Sequence, residues 1–315
     1  MILAVVGPTA SGKSDFALDL AELYAAHLTI SGPEAVEIVG ADAMQLYRGM
    51  DVGTAKLPLA ERRGIIHHQI DVLDIMDEAS VAKYQKDARA DVATIQRSNK
   101  LPLVVGGSGL YVRALLDEMH FPPTDPAIRE RLEERLTRYG PETLHRELSE
   151  SDPEAARSIN PRNGRRIVRA LEVIEVTGEP FSATLPKRRY VSPAVQIGIR
   201  RDAKELEQRI SLRTAAMFDE GLVEEVSRLR EIGLGESKTA ARATGYSQVL
   251  AMLEGQISEK EARESITLAT TQLAKRQIKW FRADPRITWI DGVDPVSLQL
   301  ALEVLLNAQN AETPL

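Results

Sequence analysis

The sequence predicts an α/β fold: a parallel sheet flanked by helices, with an inserted all-helical subdomain. Three observations predict it. Short apolar runs alternate with helical patterns near both ends of the chain, the run "ILAVV" leads straight into the glycine-rich "GPTASGKS", and the strand rhythm stops between about residues 121 and 189. The expected division is therefore a core of 1–120 and 190–315 and a helical insertion of 121–189.

The first element is a strand at "ILAVV", followed by a loop that fits G-x-x-x-x-G-K-S/T through Gly7, Gly12, Lys13 and Ser14. Phe16, Leu20 and Leu23 then recur on one side of a helix. Strand, glycine loop and helix make this a P-loop NTPase-like phosphate cradle, in which backbone N–H groups and a helix N-terminus turn toward an anion. Lys13 adds a mobile positive charge, and the Ser14 hydroxyl is the expected ligand of a phosphate-bound Mg²⁺. Further strands are expected at "VEIVGAD" (36–42), "HQIDVLDI" (68–75), "LPLVVGG" (101–107), "AVQIGIR" (194–200) and "ITWIDG" (287–292). In such sheets ligands sit beyond the carboxyl ends of the strands, which places Gly7 to Ser14, Asp42 and the "GGSG" turn at one opening.

In the insertion, Asp125 is an N-cap with Pro126 at the first helical position, Ile128, Leu132 and Leu136 share a face, and Gly140 is the stop. "PETLHREL" and "SDPEAARSI" restart helices, and "RRIVRALEVIEVTG" runs to Gly178. "PFSATLPKRRYVSP" reads as the return linker. Toward the C-terminus Ser258 and Glu261 form a capping box before a helix through Phe281. Ala274, Ile278 and Phe281 make its buried stripe, with Lys275, Lys279 and Arg282 beside it.

The chain has 315 residues, a net charge of −6 and no cysteine. A disulfide framework, a thiol nucleophile and a thiolate metal site are thereby excluded. No apolar run approaches a bilayer-spanning length and no leader pattern is evident, so a cytoplasmic protein is expected. The acidic balance argues against a general cationic coat, yet "RNGRRIVR" (162–169), "KRRY" (from 187) and "KRQIKWFR" (275–282) concentrate cations. They read either as a defined polyanion footprint or as solvated helix faces carrying ion pairs.

Asp42 ends the second strand, where a general base, a metal-associated carboxylate or a helix cap would each stand. Gln45, Tyr47 and Arg48 are expected at a functional surface or in a solvated loop, being polar to bury without partners. Ser108 lies in a second strand–glycine–helix turn, as a second phosphate contact or as part of a close helix–sheet packing. His67 and His68 open a strand and so face opposite ways, which favours structural roles over a metal pair.

"GPTASGKS", "DAMQLYRGMDVGTAK", "HHQIDVLD", "LVVGGSGLYVRALL", "RRIVRALEV", "TGYSQ" and "LAKRQIKWFR" together resemble the bacterial tRNA dimethylallyltransferases, from residue 1 to about 290. The resemblance implies transfer of a dimethylallyl group from dimethylallyl diphosphate to the exocyclic N6 amine of the adenosine 3′-adjacent to the anticodon, in tRNAs reading codons that begin with U. It further implies that Gly7, Pro8, Thr9, Ala10, Ser11, Gly12, Lys13, Ser14 and Ser108 bind the donor phosphates, with Mg²⁺ at Ser14. Asp42 would be the proton acceptor, assisted by Lys13 and Arg213. Asp42, Ala43, Met44, Gln45, Ser108, Arg129, Arg165, Arg166, Ile167, Val168, Arg169, Gly245 and Tyr246 would meet the tRNA anticodon stem-loop, placing the helical insertion in tRNA binding. A monomer is expected. Ala43 stands where relatives commonly carry serine, and extra residues lengthen the connection at 28–37. The rival readings are a small-molecule kinase, a prenyltransferase acting on free adenine nucleotides, and a non-catalytic nucleotide switch.

Overall fold

Every residue of β1 (Ile2–Val6) and of β2 (Val36–Gly40) is buried. Side chains alternate across a sheet, so strands apolar at both parities must be covered on both faces. β3 (His67–His68), β4 (Leu101–Gly106), β5 (Ala194–Arg200) and β6 (Ile287–Asp291) complete a six-stranded parallel sheet in the order β3-β2-β4-β1-β5-β6. The computed structural model describes residues 1–28, 35–184, 188–294 and 296–312. Residues 29–34, most of the lengthened connection, and 185–187 of the return linker lie outside the described residues.

The helices in chain order are α1 (Lys13–His27), α2 (Val81–Arg97), α3 (Gly109–Leu116), α4 (Pro126–Tyr139), α5 (Pro141–Ser151) and α6 (Pro153–Ser158). They continue as α7 (Gly164–Thr177), α8 (Ala203–Asp219), α9 (Leu222–Glu231), α10 (Tyr246–Leu253), α11 (Glu259–Arg282) and α12 (Ser297–Glu312). Leu3 and Val5 point into one apolar layer with Leu20 of α1 and Leu305 of α12. Ala4 and Val6 point into the opposite layer with Ile95 of α2, Leu115 of α3, Val226 of α9 and Phe281 of α11. Burying one leucine such as Leu3 contributes about 2 kcal/mol, which is why the central strands tolerate few polar positions. Among the described residues no helix is long and apolar enough to cross a membrane.

The chain divides into two compact units, Met1–Leu116 with Tyr190–Leu315, and Asp117–Arg189. The second unit has its own core of Leu132, Leu144, Leu148, Ile167, Val168 and Leu171. Asp125 accepts hydrogen bonds from the N–H groups of Ala127 and Ile128, and Pro126 opens α4. Gly140 and Gly178 stop α4 and α7 with positive φ of 76° and 73°, which glycine adopts without strain; Gly178 is a left-handed cap. Within this unit the fully buried Glu172 is held by Arg129 and Arg169 at 2.5 and 2.9 Å. Burial pushes its carboxyl up, but the hydrogen bonds from those two arginines overcome this and hold it below its ordinary range.

The expected strand at 68–75 is corrected: regular pairing covers only His67–His68. Gln69 and Asp71 take φ of 58° and 57°, which turns the chain out of the extended form; a lone parallel bridge, Tyr47 to Leu73, follows. Nor does Tyr47 lie on a surface. It is fully buried, and its hydroxyl donates to the Asp77 carbonyl and accepts from the Ala79 N–H, both at 3.1 Å, so the polarity that suggested exposure is satisfied internally. Arg48 stays exposed, paired with Asp74.

Candidate active site

The loop after β1 leaves the middle of the sheet, between the strands that run outward on either side, where ligands of open α/β sheets collect. Gly12 has φ 84°, a backbone that favours glycine, and a Cβ there would come within 3.3 Å of the Arg201 guanidinium, a tight contact. The N–H groups of Gly12, Lys13 and Ser14 have no acceptor among the described residues, and the buried Ser11 hydroxyl is without a partner. Unpaired donors aimed from a helix start are what an anion satisfies. Three arginines brace the loop from outside: Arg201 donates to the Ser11 carbonyl at 2.6 Å, Arg209 to the Ala10 carbonyl at 2.8 Å, and Arg213 to the Thr9 hydroxyl. Sequence reasoning found Arg213 and missed Arg201 and Arg209, whose spacing on and before α8 carries no motif.

Two hollows meet at the end of the sheet. Thr9, Lys13, Ser14, Asp42, Gln45 and Arg213 line the first, together with apolar Ile38, Leu57 and Ile70. Thr9, Asp42, Ala43, Met44, Ser108, Arg213, Gly245 and Gln277 are in the wall of the second. Thr9, Asp42, Thr54 and Arg213 belong to both, so the carboxylate stands where they join. One Asp42 oxygen accepts the Met44 N–H at 3.0 Å. The Ser108 hydroxyl accepts the Ala43 N–H at 3.2 Å, tying the second glycine turn to the segment that carries Asp42. Gln45 donates to the Thr54 carbonyl at 3.1 Å, and that turn is fixed in its own right by the buried Glu225. The Glu225 carboxylate accepts the N–H groups of Asp51, Val52 and Gly53 at 2.8–3.1 Å and the Tyr246 hydroxyl at 2.5 Å.

The cluster is electrostatically tuned. Burial pulls the Lys13 ammonium down to about 8, opposed by the Asp42 charge and reinforced by Arg213. Arg213 is lowered for the same first reason, with Asp42 raising it and Arg209 lowering it. Two cations crowd a site with one carboxylate between them, a charge balance that an incoming polyanion would correct.

Not every residue that the resemblance pointed to presents its side chain. Tyr246 is fully buried with its hydroxyl on Glu225, and Ile167 and Val168 lie in the core of the helical unit. Arg169 also donates to the carbonyls of Pro122 and Pro123, while Arg165 and Arg166 are exposed with no ion-pair partner among the described residues. On α11, Lys279 and Arg282 are likewise exposed, and Lys275 pairs with Glu207. The two histidines have satisfied contacts, His67 with the Ile65 carbonyl at 2.8 Å and His68 with Glu37 at 2.6 Å.

A phosphate cradle, a central carboxylate and two joined hollows define a group-transfer enzyme that handles a phosphorylated substrate on a P-loop-type sheet. More narrowly, the chain belongs to the IPP transferase family, whose family model matches residues 45–284. It is 51% identical over 313 residues to a tRNA dimethylallyltransferase of Kineococcus radiotolerans, covering 98% of both chains. A tRNA dimethylallyltransferase of Thermobifida fusca is 52% identical over 303 residues, 96% of this chain and 93% of that one. The full-length tRNA isopentenylpyrophosphate transferase structure from Bacillus halodurans superposes with a TM-score of 0.71 at 34% identity, covering 98% and 97% of the two chains. A eukaryotic dimethylallyltransferase acting on tRNA shares the fold, with a TM-score of 0.82 at 24% identity over all of this chain and 80% of that one.

Proposed function

We propose that the chain transfers the dimethylallyl group of dimethylallyl diphosphate to the N6 amine of the adenosine 3′-adjacent to the anticodon, in tRNAs reading codons that begin with U. The observation that carries this reading is Asp42 at the junction of the hollow lined by Lys13 and Ser14 and the hollow lined by Ser108 and Gly245. Each hollow then takes one substrate. The donor diphosphate lies on the N–H groups of Gly12, Lys13 and Ser14, with Lys13 and Arg213 against its oxygens, and the adenine enters past Ser108 and Gly245. The relatives' names supply the two substrate classes.

The chemistry follows from charge. As the carbon–oxygen bond of the donor breaks, its electron pair leaves with the diphosphate, and donors already fixed in the loop stabilise the oxygen on which charge grows. The adenine amine is a weak nucleophile, its lone pair being shared with the ring. Once the new nitrogen–carbon bond begins to form, the nitrogen turns acidic and a carboxylate can take the proton. Asp42 accepts that proton, leaving N6-(dimethylallyl)adenosine and free diphosphate. Mg²⁺ fits beside the diphosphate, with the Ser14 hydroxyl as its protein ligand. Bound there, it would neutralise charge on the phosphate oxygens.

The acceptor base must leave its stack to reach a carboxylate set this far into the wall. Arg165 and Arg166, exposed and without an ion-pair partner among the described residues, are the phosphate contacts of the helical unit, and Arg129 stands in that unit held by its ion pair with Glu172. Incubation with labelled dimethylallyl diphosphate and either total tRNA or AMP tests the reading. Label in tRNA and none on AMP is expected, whereas label on AMP alone would make this a free-nucleotide prenyltransferase.

A further inference from the structure

Gln277 is a polar side chain on α11, a helix that otherwise turns its buried stripe to the core. Its carboxamide is used at both ends. The oxygen accepts the Thr9 N–H at 2.8 Å, and the nitrogen donates to the Gly107 carbonyl at 3.0 Å. One amide therefore joins the phosphate loop after β1 to the glycine turn after β4. That turn is in turn bound to the end of β2, because the Ser108 N–H donates to the Ala41 carbonyl at 3.2 Å and the Ser108 hydroxyl accepts the Ala43 N–H. Asp42 lies between those two residues. A Cβ on Gly107 would stand 2.6 Å from the Gln277 nitrogen and 3.2 Å from the Gly7 carbonyl, so the absent side chain is the space the latch occupies.

The bond to Thr9 also sorts the loop. Its N–H is taken by protein, while those of Gly12, Lys13 and Ser14 stay free for phosphate. With the Thr9 hydroxyl held by Arg213, both the backbone and the side chain of Thr9, one of the residues shared by the two hollows, are fixed. We propose that Gln277 is a positioning residue, a latch that sets the separation between the diphosphate cradle and the Asp42 carboxylate. The proposal rests on the transfer reaction given above. Misplacing reacting groups by about 1 Å lowers rates by roughly a hundredfold, so a relaxed latch acts on the chemical step more than on either binding event.

The test is a double-mutant cycle read in single-turnover transfer of labelled dimethylallyl groups to tRNA. Gln277→Ala deletes the latch and Gly107→Ala displaces it. Each is expected to lower the rate about tenfold or more, with the Kd for dimethylallyl diphosphate within about threefold of the wild-type value. The double variant is expected to be no slower than the slower single, a coupling of the kind that residues in one contact show. Gln277→Glu conserves volume and the acceptor for Thr9 but sets an oxygen against the Gly107 carbonyl; it is expected to unfold at the wild-type temperature and still lose rate. Additive effects in the cycle, wild-type rate in Gln277→Glu, or losses confined to donor affinity would each overturn the latch. Wild-type protein that transfers nothing would instead overturn the reaction on which it rests.

Discussion

Lys13 carries a burial penalty that the diphosphate proposed for this site would offset. Burial and the nearby Arg213 lower its ammonium from 10.5 to about 8, against the pull of Asp42. At about 1.4 kcal/mol per tenfold in the proton equilibrium, holding the charge at neutral pH costs at most about 3 kcal/mol, less whatever solvent reaches the side chain. Lys13→Met removes the charge and keeps most of the chain length. Between pH 8 and 10.5 the unfolded chain keeps a proton that the folded one has released, so wild-type stability rises with pH across that window. Below pH 8 both forms are protonated and the penalty is present in full. Urea denaturation from pH 7 to 10 is therefore expected to show Lys13→Met more stable than wild type by up to about 3 kcal/mol at pH 7, with the difference shrinking as pH rises. The same variant should bind inorganic diphosphate at least tenfold more weakly, since the anion is what the charge is held for. A destabilised Lys13→Met, or a difference independent of pH, would mean that burial does not penalise the Lys13 charge.

Charge reversal of the exposed pair, Arg165→Glu with Arg166→Glu, should weaken tRNA binding and make the slope of log affinity against log salt shallower by about two, with donor affinity unchanged; filter binding at several salt concentrations reads both. Equal loss of donor binding would mean misfolding. Glu225→Ala leaves three part-buried backbone N–H groups and the buried Tyr246 hydroxyl without their acceptor, so denaturation should show a loss of about 3 kcal/mol. Tyr246→Phe, which removes one of those four donors and leaves the other three bound, should lose about 1 kcal/mol.

The sequence made the phosphate loop legible because its signature is local: glycines, lysine and serine at fixed spacing mark it, although Arg201, Arg209, Arg213 and Gln277 brace it from far along the chain. The same holds for Asp125, Gly140 and the Ser258–Glu261 cap, where a few neighbouring residues decide the conformation. Apolar runs located the sheet except at 68–75, where Ile70, Leu73 and Ile75 gave strand-like hydrophobicity but the left-handed backbone at Gln69 and Asp71 has no glycine to announce it. What stayed hidden is tertiary. Glu225 reads as one of several acids on an amphipathic helix until three amides from residue 51 onward converge on it. Gln277 sits among cations that drew attention to charge, and its partners lie 268 and 170 residues away. Nothing in spacing predicts bonds of that range. Tyr47 misled for the same reason, since its partners come from the turn before α2.

In the proposed reaction a carboxylate beside the diphosphate cradle takes the proton of the attacking amine. Single-turnover transfer by Asp42→Asn tests it most directly, because the amide keeps the shape, and its oxygen can still accept the Met44 N–H. The expected rate is at least a hundredfold below wild type, with tRNA and dimethylallyl diphosphate bound as before. Transfer at the wild-type rate would contradict it.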